Sequence, residues 1–246
     1  MSDLPAAVKS GAVGFRRSLI AGMQLAVMGA LSLLLIHSIS PVAAIRGDLQ
    51  IKLLFIGRIV VLIGAATLLL RLSGRRWADV GMRQVKPVRF LLAIPLGLAA
   101  AFAISSVAEF ALAKLGVHGR PADDWYSALR GNLELYLFFL VPVTWGTAAF
   151  GEEMLFRGFF LDALQRLFGS SGPIATTIAV IAQAVIFGLL HFYQGLVGAV
   201  VAGALGLALG FVWWFSDRNL WAGIVVHGIV DSFSMTVLYL GLIGPH

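Results

Sequence analysis

Seven apolar runs of 17 to 24 residues follow one another along the chain, separated by short polar breaks: 18–39, 53–70, 90–113, 133–150, 174–190, 195–215 and 220–243. Crossing about 30 Å of hydrocarbon takes roughly 20 helical residues, with 17 near the lower limit. None of the runs alternates apolar and polar positions as a barrel strand would. Backbone groups in lipid must bond within their own segment, so the runs predict helices. The expected fold is an all-α polytopic transmembrane helical bundle of seven to eight spans, forming a single membrane-embedded domain over residues 1–246. No break between the runs could hold a second folded domain. The first run is too long for a signal-peptide core and no A-x-A-like site follows it, so it is expected to stay as a span.

One stretch departs from this pattern. Residues 151–168 alternate charge with Leu and Phe and follow the fourth run without interruption. They either extend that helix, with a kink near Pro142 and Gly146, or form an eighth, partly embedded helix. In the sixth run Gly198, Ala202, Gly206 and Gly210 recur every four residues, a smooth stripe suited to close helix packing. Trp213, Trp214 and Trp221 near predicted helix ends read as interfacial anchors.

Composition agrees with the pattern. Hydrophobic residues make up 59% of the 246 and charged residues 12%, with a mean hydropathy of +0.93. A water-soluble globule of this size could not bury so much apolar surface, and a disordered chain would be far more polar. With no cysteine, a disulfide, a thiol nucleophile and a cysteine-held iron–sulfur cluster are excluded. The net charge of +6 fits anionic lipid as a partner. Nucleic acid is not expected, because the basic run Arg71 to Arg89 lacks interleaved aromatics and lies beside a predicted span. With seven spans, twelve lysines and arginines fall on the N-terminal side and five, Arg120 among them, on the other. This asymmetry predicts a cytoplasmic N-terminus.

Polar groups inside apolar helices are costly and need a reason. Most of them lie in the second half. Glu152 and Glu153 are adjacent carboxylates with Arg157 four residues after the second, so Glu153 and Arg157 share a helical face. Adjacent carboxylates in a poor solvent repel; an arginine that locks one leaves the other free to act as a base. Gln183, Phe187 and His191 fall on one stripe of the fifth run. His227 and Asp231 repeat the four-residue spacing in the seventh, a pair that can fix a histidine tautomer or supply two metal ligands. Two histidines and three acids on three apolar segments point to a functional site. Glu109, Arg58, His37, His118, Glu134 and Asp162 stand outside this pattern and are expected to snorkel, pair within the bundle or face solvent.

The order E-E-x-x-x-R at Glu152, Glu153 and Arg157, F-x-x-x-H at Phe187 and His191, and H-x-x-x-D at His227 and Asp231 resembles the CPBP family. That family name covers CAAX proteases and bacteriocin-processing enzymes and includes the type II CAAX prenyl endopeptidases. The resemblance covers roughly residues 130–240. Phe156-Arg157-Gly158 and Trp77-Ala78-Asp79-Val80-Gly81-Met82 are similar to the bacterial branch, which implies a bacterial cell membrane. It implies an intramembrane peptidase in which Glu152, assisted by His191, activates water. Glu153 and Arg157 would hold the site together, and His227 and Asp231 would stand where the oxyanion develops. The implied partner is a peptide or protein substrate at the membrane, lipidated if the CAAX analogy holds fully.

Asp231 leaves a choice open. An asparagine there could donate to an oxyanion, whereas an ionised aspartate cannot. Either Asp231 orients His227, or Glu152, His191, His227 and Asp231 together hold zinc. The absence of an H-E-x-x-H pair favours the metal-free reading. Two other classes compete with the peptidase: a non-catalytic scaffold for a membrane partner such as a sensor kinase, and a proton-coupled transporter. No internal repeat of the kind transporters carry is visible.

Overall fold

A computed structural model describes residues 6–36, 38–39, 41–118, 128–169 and 172–242. His37, Arg120 and Ile243 lie outside them. The described residues are mostly helical and contain no strand. The helices are α1 (Ala6–Ile36), the short α2 (Pro41–Arg46), α3 (Leu49–Leu72), α4 (Pro87–Lys114), α5 (Leu133–Leu167), α6 (Pro173–Leu190), α7 (Gly195–Phe215) and α8 (Leu220–Tyr239). Among them seven are long and apolar enough to cross a membrane, all but α2. Asp48, Asn132 and Asn219 cap α3, α5 and α8 by accepting from backbone N–H groups of the first turn. Pro87 and Pro173 open α4 and α6, where a missing N–H costs nothing.

Residues 151–168 extend the fourth span and do not form an eighth. The helix carries 35 residues, and from Phe139 to Glu152 and from Met154 to Phe160 it is π-helical. There each N–H reaches the carbonyl five residues back, a geometry normally confined to a single turn and frequent at functional sites. Residues 153–161 are buried on every side, as expected of the central post of a bundle. Phe156, Phe159 and Phe160 pack there against Met28 of α1, Leu62, Ala66 and Leu70 of α3, and Phe187 of α6. On another side Met154, Leu161 and Leu164 meet Ala179, Trp213, Leu220 and Ile224. Leu53, Leu54, Val60 and Leu68 on α3, and Leu91, Leu96, Val107 and Phe110 on α4, are exposed. Their apolar faces suit lipid, not water.

The ends that seven spans would put on one side do meet. Ser18 Oγ donates to the Arg166 carbonyl at 3.1 Å, and Arg75 pairs with Asp162 at 2.8 Å. The Leu220 N–H reaches the Gly81 carbonyl at 3.1 Å. Asn219 Nδ2 donates to the Arg83 carbonyl at 2.9 Å. Gln24 ties the first helix to the third and the fifth, donating to the Leu69 carbonyl at 2.7 Å and accepting from Arg166 at 2.8 Å. In the turn between α7 and α8, Asp217 pairs with Lys86 and Arg89 and its carbonyl accepts from Arg83. The Lys86 hydrogen bond, helped by Arg89 and Arg83, holds the Asp217 carboxyl below the usual carboxylate range.

Small residues set the α6–α7 contact. A Cβ on Gly188 would lie 2.6 Å from the Ala199 carbonyl oxygen, and one on Gly206 would lie 3.1 Å from Ala184 Cα. Within the predicted stripe Gly206 and Gly210 face α6, whereas a Cβ at Gly198 would meet only Gln194 of its own chain segment. Gly188→Ala therefore pushes a methyl group into backbone. It should cost about 1–3 kcal/mol, read as a lower thermal midpoint in detergent. Gly64→Ala, with nothing within 4 Å, should leave the midpoint unchanged or raise it slightly.

Candidate active site

The π-helical segment of α5 carries Glu152, Glu153 and Arg157 into the centre of the bundle. Glu153 and Arg157 are both fully buried and form an ion pair, Nη1 to Oε1, at 2.7 Å. Two buried charges are tolerable only when paired and bonded on their remaining sides. Arg157 Nη2 donates to the Gly206 carbonyl of α7 at 3.1 Å, and the guanidinium lies over the Phe187 ring, 5.0 Å from its centre. Gln183, also fully buried, donates to the same carbonyl at 3.0 Å. The small residues at the α6–α7 contact are what bring that carbonyl within reach.

His227 of α8 is the hub. Its Nδ1 lies 3.2 Å from Glu153 Oε1, and its Nε2 faces Asp231 at 3.5 Å and Glu152 at 4.0 Å. The ring is 2% exposed, whereas the side chains of Glu152 and Asp231 are 25% and 28% exposed. A buried layer of Glu153 and Arg157 thus backs an imidazole whose outer nitrogen meets two part-exposed carboxylates. Hydrogen-bonded at Nδ1 to a carboxylate, the ring is fixed in orientation. Two glycines of the same helix make this possible. A Cβ at Gly223 would stand 2.5 Å from Glu153 Oε2, and one at Gly228 would stand 2.5 Å from the Trp145 ring.

His191 follows the last residue of α6, half-buried. Its Nδ1 contacts the Phe187 carbonyl at 2.7 Å; with Nδ1 as donor, Nε2 is left as an acceptor. The Phe187 ring lies between the histidines, 4.5 Å from the His191 ring and 6.2 Å from the His227 ring. No hydrogen bond or ion pair joins His191 to Glu152. It belongs to the group through Phe187.

All six residues singled out from the sequence therefore belong to one assembly: five carry its charges and His191 stands beside it. Of those set aside, Glu109, Glu134 and His118 are exposed and take no part. Arg58 pairs inside the bundle, donating to the Ile39 carbonyl at 2.8 Å. Asp162 is bound to Arg75 and Arg166 at the basic end. Gln183 was visible in the sequence only as a member of a stripe. Gly206 was visible only as part of a packing stripe, and Trp145, Gly223 and Gly228 were not foreseen. The signal available for the last two was that small residues flank a polar one in an apolar helix.

Zinc needs at least three protein donors around one point. Among the described residues no three His, Asp or Glu side chains are so placed, and the Nδ1 atoms of both histidines are engaged elsewhere. The four residues considered for zinc do not form such a site in this arrangement.

Compared with known families, residues 134–233 match the model described as type II CAAX prenyl endopeptidase Rce1-like. The match spans α5 to α8, the four helices that build the site. Comparison with curated proteins and with solved structures returns no match.

Removing one member of the buried pair strands the other. Arg157→Met or Glu153→Gln should each cost about 3–5 kcal/mol, and the double variant should recover a good part of that loss. Chemical unfolding in detergent followed by tryptophan fluorescence measures all three.

Proposed function

We propose, from the match of residues 134–233 to the type II CAAX prenyl endopeptidase Rce1-like model and from the geometry, that the protein is an intramembrane endopeptidase in which Glu152 activates water. The observation that carries this reading is the arrangement at His227. Two part-exposed carboxylates face its outer nitrogen, and a buried carboxylate holds the inner one.

Glu152 is the base because no cation locks it, unlike Glu153, and because water can reach it. Its Oε2 lies close enough to His227 Nε2 for one water to bond both. As that water attacks the scissile carbonyl carbon, Glu152 takes a proton and the carbonyl oxygen becomes an oxyanion. His227, facing carboxylates at both nitrogens, is set to donate from both, and its Nε2 donates to the oxyanion. Asp231 aligns that nitrogen and leaves donation to the imidazole. Glu152 then returns the proton to the leaving amine as the C–N bond breaks, giving a carboxylate and an amine. His191 Nε2, left as an acceptor, assists in orienting the attacking water. Arg157 and Glu153 act as positioning residues.

The substrate is a peptide segment delivered from the bilayer, of CAAX type and lipidated near its C-terminus. The protein sits in a bacterial cell membrane with its N-terminus, and hence the basic end, in the cytoplasm.

Glu152→Gln should lower cleavage of a prenylated C-terminal peptide in proteoliposomes by about 10²–10⁴-fold with no change in thermal midpoint. Wild-type rates in that variant would end the proposal. If the wild type leaves the prenylated peptide intact, comparing membrane peptides from cells with active and Glu152→Gln protein reveals the actual substrate. Activity should survive exhaustive dialysis against a chelator; stoichiometric zinc whose removal and return carry activity with them would refute the metal-free mechanism.

A further inference from the structure

The basic end holds a cavity of about 470 Å³ that the peptidase mechanism does not use. It opens between the start of α1, the loop before α4, the end of α5 and the turn from α7 to α8. Six arginines line it, Arg17, Arg75, Arg83, Arg157, Arg166 and Arg218, against two aspartates, Asp79 and Asp162. Both aspartates already have partners. Asp79 accepts from the Arg76 N–H at 2.8 Å, and Asp162 is held by Arg75 at 2.8 Å and Arg166 at 2.9 Å. Arg157 is already neutralised by Glu153 behind it, so the five other arginines stand against two aspartates and the lining carries a surplus of three positive charges.

Three buried N–H donors on the lining residues have no acceptor: Arg75 Nε, Arg157 Nε and Trp213 Nε1. Arg157 is fully buried and Trp213 only 4% exposed. A buried donor without an acceptor is costly and rare. Water could satisfy these donors one by one, but water leaves the charge surplus unanswered. A group with several acceptor oxygens and negative charge answers that surplus.

We infer that this cavity binds a phosphate group. Its position favours the phosphate of an anionic lipid headgroup as the source. It lies at the end of the bundle where loop arginines gather. Through Arg83 and Arg218 it also adjoins a more open cavity of about 790 Å³ lined by Lys86, Arg89, Asp217, Leu92 and Trp214. Trp214 is 58% exposed, as an interfacial anchor beside acyl chains would be. The inference does not depend on the peptidase reading, since binding is measured without cleavage.

Lipid-stripped protein in detergent is titrated with dihexanoyl phosphatidylglycerol, inorganic phosphate and, as a neutral control, dihexanoyl glycerol, read by native mass spectrometry and thermal shift. Phosphatidylglycerol is expected to bind and raise the midpoint, and the neutral glyceride is not. Arg17→Ala and Arg83→Ala should each weaken binding about fivefold, the worth of one basic side chain near an anionic lipid. Arg16→Ala, off the cavity, should leave it unchanged. If inorganic phosphate binds equally well with the same sensitivity to Arg17 and Arg83, the site stands and its ligand is free phosphate. Failure of both phosphate probes to bind, or binding indifferent to both variants, would overturn the inference. Arg17 is exposed, so its loss tests the site even if Arg83→Ala does not fold.

Discussion

The ion pair between Glu153 and Arg157 is the constraint on which the rest of the site depends. Neither side chain touches solvent, and in a medium of low dielectric an unpaired charge would cost far more than any helix contact returns. Each requirement of the pair recruits a neighbouring helix. Arg157 needs a second acceptor and takes the Gly206 carbonyl, so α7 must come close. It also needs a face for its guanidinium and lies over Phe187, which places α6. Glu153 needs a second donor and takes it from His227, which fixes the rotation of α8. The geometry of the candidate site is in this sense a by-product of satisfying one buried arginine.

The π-helical form of α5 fits that role. A post buried on all sides must present side chains to α1, α3, α6, α7 and α8 at once, and a wider turn distributes more side chains around each turn than an α-helix does. Adjacent glutamates in it meet different environments: Glu153 points into the dry centre, whereas Glu152 reaches the part-exposed side shared with Asp231. One carboxylate is locked in a buried pair and the other stays part-exposed, although the two are neighbours in the chain.

Close approach is the second theme. Gly188, Gly206, Gly223 and Gly228 each stand where a methyl group would strike backbone, a carboxylate or an indole. In lipid, helices gain little by hiding apolar surface from one another, so contact comes from shape and from polar bonds. The glycines supply the shape, and the Gly206 carbonyl and the Glu153 carboxylate supply the bonds. The same helices end at a face rich in arginine, where Arg157 is shared between the candidate site and the basic cavity.

The spans were legible in the sequence because hydropathy is a local property, and six of the seven runs end within a few residues of a helix end. The pairing of Glu153 with Arg157, and of His227 with Asp231, was legible for the same reason: a spacing of four places side chains on one face whatever the helix packs against. What that spacing could not reveal was which of three carboxylates is dry, that His227 joins two of the motifs, or that Phe187 stands between the histidines. Burial and distance between helices are set by packing across 74 residues of chain from Glu153 to His227, not by any local pattern. The π-helical turn was hidden too, because apolar residues on every side of a buried post leave no periodicity to read. The residues and their local faces belong to the sequence; their division into a locked pair, a hub and a part-exposed acid was decided only when the tertiary structure buried some of them and left others open.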